Sequence, residues 1–193
     1  MRSDFAWGDR LPTIAASRVS LRALESRDVP ALFAIFSDPQ VMRYWSSPPL
    51  ADIAAATALL HEIQEFWRAK TLFQWGVARN ADDVVVGTCT LFHLVDEHRR
   101  AELGFALGRS HWGSGLMSEA LGVLIAFAFE KLDLHRLEAD ADPRNTRSIR
   151  CLEGQGFRRE GYLRERYHVG GEIQDTVYFG LLRHEWPNAG RNE

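Results

Sequence analysis

Gly113-Ser114-Gly115 stands at the start of an apolar stretch with helical spacing, and that placement has chemical content. Backbone N–H groups at a helix start sit at the positive end of the helix dipole, and glycine lets a ligand approach the main chain closely. The group such a turn takes is a phosphate or pyrophosphate. The plainer reading is an ordinary glycine-rich turn, since an isolated Gly-x-Gly carries little information. Two phosphate-binding signatures are excluded. A Walker A loop needs Gly-Lys-Ser/Thr after its glycines, and Leu116-Met117 follow here. A dinucleotide fingerprint needs Gly-x-Gly-x-x-Gly inside a leading βαβ unit, which this stretch does not have. A second candidate runs Asp142-Pro143-Arg144-Asn145-Thr146-Arg147-Ser148. In it Asn145, Ser148 and Leu152 fall at i, i+3 and i+7 and so share one helical face. Asn145 also suits a helix N-cap, and Ser148 a solvent-facing helix serine.

These segments need a scaffold, and hydrophobic periodicity supplies one. Residues 19–24 alternate as a strand. Ser26 is the expected N-cap of a helix carrying Val29, Leu32, Phe33 and Phe36, stopped by Asp38-Pro39. An Ala-rich helix is expected over 52–70. Strands follow at 73–79, 84–94 and 101–107, with Gly87 as a bulge or twist point. After the loop 108–115 come a helix over 116–131, a strand at 137–140, a helix over 145–153, and strands at 157–163 and 174–182. The result is an α/β domain around a mixed sheet.

The 193 residues fit one domain, taken as 1–193 with an N-terminal arm at 1–17 and a tail at 184–193. Hydrophobic residues make up 46% and charged residues 25%, as in a globular chain that needs no disulfide or metal to hold a core. The net charge of −3 removes a global electrostatic case for binding nucleic acid. Cys89 and Cys151 are too few and too far apart for a thiolate metal site and read as small buried hydrophobes. The N-terminus lacks the apolar core of a signal peptide, and no stretch has the length of a membrane span. The expectation is a cytoplasmic protein with no membrane partner.

Several segments together carry a family resemblance: Ala101-Glu102-Leu103-Gly104-Phe105, then Trp112-Gly113-Ser114-Gly115-Leu116-Met117-Ser118-Glu119-Ala120, then Asn145-x-x-Ser148 and Gly156-Phe157. In this order and separation they resemble the GNAT superfamily of acyl-CoA-dependent N-acetyltransferases. More narrowly, they resemble its RimJ/RimL branch, whose members acetylate protein N-termini and, in relatives, other amines. The resemblance spans nearly the whole chain. It implies a mixed, mostly antiparallel twisted sheet with helices on both faces and a splayed central strand. It implies acetyl-CoA as co-substrate, its pantetheine arm pairing with Phe105, Ala106 and Leu107. The pyrophosphate would fall on the amides of Trp112, Gly113, Ser114, Gly115, Leu116, Met117 and Ser118. Asn145 would hold the cofactor arm and Ser148 would lie near the sulfur. A main-chain N–H near 105–107 would polarise the thioester carbonyl. Tyr44 and Trp45 would line the acceptor cleft, and a homodimer is common in the branch.

The chain departs from the family pattern in two places. Ser110 stands where a Gln or Arg commonly precedes the glycines, and Leu152 stands where many members carry the tyrosine that protonates the departing thiolate. Ser148 is the branch's proposed replacement for that acid. An acceptor ammonium must lose a proton before it can attack, and Glu102, on the strand beside the expected thioester, is the candidate base. The alternative for Glu102 is a structural carboxylate bonded to a neighbouring strand or arginine. Glu119, inside the helix, reads as a brace.

Between Arg144 and Arg166 seven arginines face three glutamates. Arg147 and Arg150 are taken as contacts to the CoA phosphates, and the others as solvated surface. Asp140 with Asp142, and His93 with His98, lack further ligands at workable spacing, so no metal is expected. The expected activity is transfer of acetyl from acetyl-CoA to a primary amine, a protein N-terminus first and a small amine second, with longer acyl donors such as succinyl also open. The competing class is a catalytically silent acyl-CoA-binding module.

Overall fold

The computed structural model describes Phe5 and residues 7–186. Residues 1–4, where the absence of a signal segment was read, and 187–193 of the expected tail lie outside the described residues. Among the described residues, eight strands form one sheet: β1 (Ile14–Ala15), β2 (Val19–Arg22), β3 (Leu72–Arg79), β4 (Val85–Val95), β5 (Arg100–Leu107), β6 (Arg136–Ala141), β7 (Arg158–Val169) and β8 (Glu172–Leu182). Their spatial order is β1-β2-β3-β4-β5-β6-β8-β7. Each neighbouring pair is antiparallel except β5 and β6. The helices are α1 (Val29–Phe36), α2 (Pro39–Met42), α3 (Ile53–Ala69), α4 (Leu116–Glu130) and α5 (Thr146–Gly154).

The apolar residues divide into two clusters, which puts helices on both faces of the sheet. Leu24, Val29, Leu32, Ile35, Phe36, Met42, Leu60, Ile63, Ala78, Val85 and Ala106 pack α1–α3 against one face. A larger set joins Leu121, Leu124, Ile125 and Phe129 of α4 with Ile149 and Leu152 of α5 and with Trp75, Leu91, Leu103, Leu137 and Phe179. Within β5, period-two alternation sends Leu103 to the larger cluster and Ala106 to the smaller.

One feature of the sheet creates a site. The parallel pairing of β5 with β6 covers only Arg100↔Arg136, Ala101↔Leu137 and Glu102↔Glu138. Past Glu102, β5 continues to Leu107 beside β4, while β6 continues to Ala141 beside β8. The two strands therefore diverge from Glu102 onward, which is the splayed central strand expected from the sequence.

Some elements differ from their expected form. The described part of the arm packs on the domain: β1 pairs with β2, Leu11 is buried, and the indole of Trp75 donates to the Pro12 carbonyl at 2.9 Å. Ser26 opens a short 3-10 turn instead of capping a helix. The reciprocal bonds are between Glu25 and Asp28, and α1 starts at Val29. Asp38-Pro39 does end α1, but it also starts α2. Asp38 Oδ1 accepts from the Gln40 amide at 2.8 Å, and proline at the first helical position needs no N–H partner. Strand β7 runs on to Val169, because the left-handed pair Gly170-Gly171 closes a long hairpin with β8. Near Gly87, Val77 pairs with Gly87 and Ala78 with Val85, so Val86 is the extra residue of a bulge. A Cβ on Gly87 would lie 2.4 Å from the Ala106 carbonyl, so only glycine lets β4 lie that close to β5.

Candidate active site

A cavity of about 630 Å³ opens where β5 leaves β6. The strand contributes Phe105, Ala106 and Leu107, and the loop after it Trp112, Gly113 and Gly115. Helix α4 contributes Met117 and Ser118, and α5 with its cap contributes Asn145, Arg147, Ser148, Arg150 and Cys151. Gln40, Val41, Arg43, Tyr44 and Trp45, from α2 and the turn after it, close the remaining side. Residues expected from three separate stretches of sequence thus share one cavity, including both members of the aromatic pair. Ser114, Leu116 and Glu102 are not part of the cavity wall.

The loop is held from several directions. Gly113 and Gly115 have φ of 75° and 78°, the left-handed region that glycine adopts without strain, and Gly115 directly precedes α4. The Trp112 indole N–H donates to the Leu107 carbonyl at 2.8 Å, tying the loop back to the end of β5. Ser114 Oγ donates to the His111 carbonyl at 2.6 Å, so that hydroxyl serves the turn itself. The amides of Trp112 and Ser114 likewise reach the carbonyls of Arg109 and His111. Leu116 is 8% exposed and packs in the core. Burial, followed by the charge of Arg79, holds the His111 imidazole below its ordinary pKa, so it adds no fixed positive charge to the loop at neutral pH.

Arg18, a residue sequence reasoning passed over, organises the other side of the loop. Its main-chain N–H donates to Glu119 Oε1 at 2.6 Å, its Nε to Glu119 Oε2 at 2.7 Å, and its guanidinium to the Ser114 carbonyl at 3.0 Å. Glu119 is therefore a brace, as expected. The bonds from Arg18 hold its carboxyl below the usual carboxylate range, the main-chain bond most of all.

Asn145 serves two purposes at once. Its Oδ1 accepts from the Ser148 amide at 3.2 Å, so it caps α5, and it also lines the cavity beside Ser148. Asp142 fixes the turn before it, accepting from the Arg144 amide at 2.8 Å and from the Arg144 side chain. Gln155 joins the two site helices by donating to the carbonyl and the hydroxyl of Ser118, each at 2.9 Å. The arginine-rich stretch separates by partner. Arg144 pairs with Asp142 and Glu172, Arg158 with Glu185 and Arg159 with Glu153, whereas Arg147 and Arg150 line the cavity. The Arg147 guanidinium lies over the Trp112 ring, 4.6 Å from its centroid.

Both cysteines are free thiols with surroundings that suppress ionisation. Burial pushes Cys151 up to about 11 and raises Cys89 further, and Cys89 Sγ lies 3.6 Å from Met117 Sδ. Asp140 accepts from Tyr167 and Thr176, and among the described residues no group of three His, Cys, Asp or Glu is placed to hold a metal ion. No helix among the described residues is long and apolar enough to cross a membrane.

Residues 18–158 match the family model described as Acetyltransferase (GNAT) domain. The chain belongs to the GNAT acetyltransferase family. This acetyltransferase is 36% identical over 177 residues to the uncharacterised N-acetyltransferase p20 of Bacillus licheniformis, a match covering 91% of this chain and 99% of that protein. A protein named spermidine N(1)-acetyltransferase in Vibrio cholerae is 24% identical over 178 residues, covering 89% of this chain and 97% of that one. Among solved structures, RimJ of Mycobacterium smegmatis in complex with CoA-disulfide superposes with a TM-score of 0.80 at 24% identity, covering 91% of the acetyltransferase and 90% of that chain. At that identity the superposition speaks for the shared fold.

The cavity suits an acyl-CoA. It offers a strand edge at 105–107 that β6 does not cover, a glycine turn at the start of α4, and the side chains of Arg147 and Arg150.

What the sequence left out was the contribution of α2. Gln40, Val41 and Arg43 line the cavity, and their signal was Asp38-Pro39, an N-cap followed by proline, which also reads as a helix stop.

Proposed function

We infer that this enzyme transfers an acetyl group from acetyl-CoA to a primary amine by direct attack in a ternary complex, with a protein N-terminal α-amine as acceptor. The observation that carries this reading is the divergence of β5 from β6 at Glu102, which joins a strand edge to the Gly113–Gly115 turn in one cavity with Asn145 and Ser148. Bound acetyl-CoA supplies the thioester that the amine attacks. Residues 105–107 align the arm and offer a main-chain N–H to the developing oxyanion, a contact worth roughly 3 kcal/mol in related chemistry. Glu102 serves deprotonation of the acceptor ammonium, and Ser148 donates a proton to the departing thiolate. The Leu152 position has no proton to give, since its side chain is apolar and 1% exposed. The RimJ/RimL resemblance favours the protein N-terminus in a cytoplasmic setting, and a homodimer fits the same branch.

A small amine is the second reading. It draws on the relative named spermidine N(1)-acetyltransferase.

The test begins with calorimetric titration of acetyl-CoA, CoA and NADH. Binding of both CoA species without NADH supports the cavity assignment, and absence of CoA binding sinks it. Thiol release is then followed with short peptides bearing free α-amines and with spermidine. The proposed acceptor class is rejected if spermidine alone turns over, and the silent-module alternative stands if CoA binds and no amine does. Ser148→Ala is expected to lower kcat by about 10- to 100-fold with acetyl-CoA affinity retained.

A further inference from the structure

Glu102 is not solitary. Its Oε1 lies 2.9 Å from His93 Nδ1 across the β4–β5 pair. The two side chains are very differently placed: Glu102 is 19% exposed and His93 69% exposed. His93 is also held in an unusual backbone state. Its φ is 48°, inside the irregularity where the β4–β5 register shifts between Phe92 and Val95. A non-glycine residue in the left-handed region costs free energy, and such residues concentrate at functional sites. The Phe92 ring, 4.9 Å away edge-on, packs against the imidazole. The imidazole thus meets Glu102, one of the two carboxylates where β5 and β6 begin to part; the other, Glu138, accepts from Arg100 and Arg136.

We propose that the base of this acetyltransferase is the Glu102–His93 pair, with His93 Nε2 taking the acceptor's proton and Glu102 holding the imidazole in its Nδ1–H tautomer. This rests on the reading that Glu102 serves deprotonation, and it names the group through which Glu102 acts. The proton balance is simple. The ammonium gives one proton to Nε2, leaving a neutral amine whose lone pair attacks the thioester. The imidazolium, stabilised by the Glu102 carboxylate, then releases that proton to water, which the exposure of His93 permits. The chemistry favours the pair over a carboxylate alone. A general base works best when its proton affinity suits the working pH, and imidazole is the side chain that titrates near neutrality, whereas an ordinary carboxylate is a poor match for an ammonium.

The surrounding charges come from three strands. Tyr178 on β8 feels Glu102, and it also feels Asp140 from β6 and Arg166 from β7. Arg166 lies 5.0 Å from the Tyr178 ring centroid and 5.4 Å from that of Tyr167, whose hydroxyl donates to Asp140 at 3.1 Å. Asp140 is therefore engaged by Tyr167 and Thr176, while Glu102 has its hydrogen-bond contact to His93.

The test uses the full chain with acetyl-CoA and the acceptor that turns over in the screen. His93→Asn is the key variant. Asparagine tolerates the left-handed backbone, and its amide reaches toward Glu102 as Nδ1 does, but it cannot take a proton. Expected is a kcat lower by on the order of 100-fold, loss of the acid limb of the kcat/KM profile, and acetyl-CoA affinity unchanged. His93→Gly should lose as much and recover in part with added imidazole. Nitrogen NMR of the wild-type chain should show Nδ1 protonated and Nε2 not. The pair is overturned if His93→Asn keeps full activity while Glu102→Gln does not, which leaves Glu102 standing as base by itself. It is equally overturned if the loss in His93→Asn comes with lost acetyl-CoA binding, or if NMR finds the other tautomer. A fully active Glu102→Gln removes both the pair and the broader assignment of Glu102.

Discussion

The indole N–H of Trp112 donates to the main-chain carbonyl of Leu107 at 2.8 Å, joining the last residue of β5 to the loop that turns into α4. The same ring carries the Arg147 guanidinium on its face. One side chain therefore links strand, glycine turn and α5 at the cavity wall.

Trp112→Phe keeps most of the ring and removes the donor. The Leu107 carbonyl loses its partner at a cost of about 1 kcal/mol, and the loop gains freedom that ligand binding must then remove. Acetyl-CoA affinity should fall about fivefold, with a smaller effect on kcat, as read by calorimetry and steady-state kinetics.

Much of this site was legible because its signals are local. Glycines whose backbone must be left-handed, an asparagine three residues before a serine, and alternating apolar strands each reflect physics acting within a few residues. Gly113, Gly115, Asn145 and Ser148 were singled out in that way, and a splayed strand before the glycine loop followed from the family resemblance, whereas its starting point at Glu102 came from the strand pairing. The parts that escaped depend on distant contacts. Arg18 meets Glu119 across 101 positions of sequence, and nothing near Arg18 marks it. His93 was weighed only as a metal ligand, because its link to Glu102 exists only once β4 and β5 pair. Helix α2 was hidden by the double meaning of Asp38-Pro39, which ends one helix and begins the next.

The Arg18–Glu119 brace makes a pH prediction with a definite sign. The folded-state carboxyl of Glu119 is held below its ordinary value, first by the Arg18 main-chain bond. Its contribution to stability is therefore complete above the unfolded value of about 4.3 and is lost as pH falls through the lower folded value. Glu119→Gln should lower Tm at neutral pH, and its Tm should decline less steeply than that of the wild type between about pH 5 and pH 3. Parallel melting curves for the two proteins would refute the assignment.

Cys151 lines the cavity, yet burial raises its thiol to about 11. At neutral pH its thiolate is scarce compared with an ordinary cysteine near 8.5, by two to three orders of magnitude, roughly 300-fold. Alkylation by iodoacetamide, followed by mass spectrometry, should be slower than for a small free thiol by a similar factor. Labelling should slow further with CoA present, and Cys89, fully buried, should label only on unfolding. Rapid labelling of Cys151 in the folded protein at neutral pH would contradict the burial described here.

Asn145 allows its two roles to be separated, because each depends on a different atom of one amide. The cap uses Oδ1, which accepts from the Ser148 amide at 3.2 Å. A contact to the cofactor arm would use Nδ2 as donor. Asn145→Asp keeps an oxygen for the cap and places a negative charge at the start of α5, where the helix dipole favours it. The same change replaces the donor with a second acceptor and puts that charge on the cavity wall. Asn145→Ala removes both functions. If Asn145 only caps the helix, Asp should behave as wild type in melting and in acetyl-CoA binding, while Ala loses about 1 kcal/mol of stability. If it also holds the arm, Asp should retain the wild-type Tm and bind acetyl-CoA about tenfold more weakly, and Ala should be impaired in both. The arrangement of Asn145 beside Ser148 and opposite β5 leads us to expect the second pattern, measured by calorimetry and thermal melting on the same preparations.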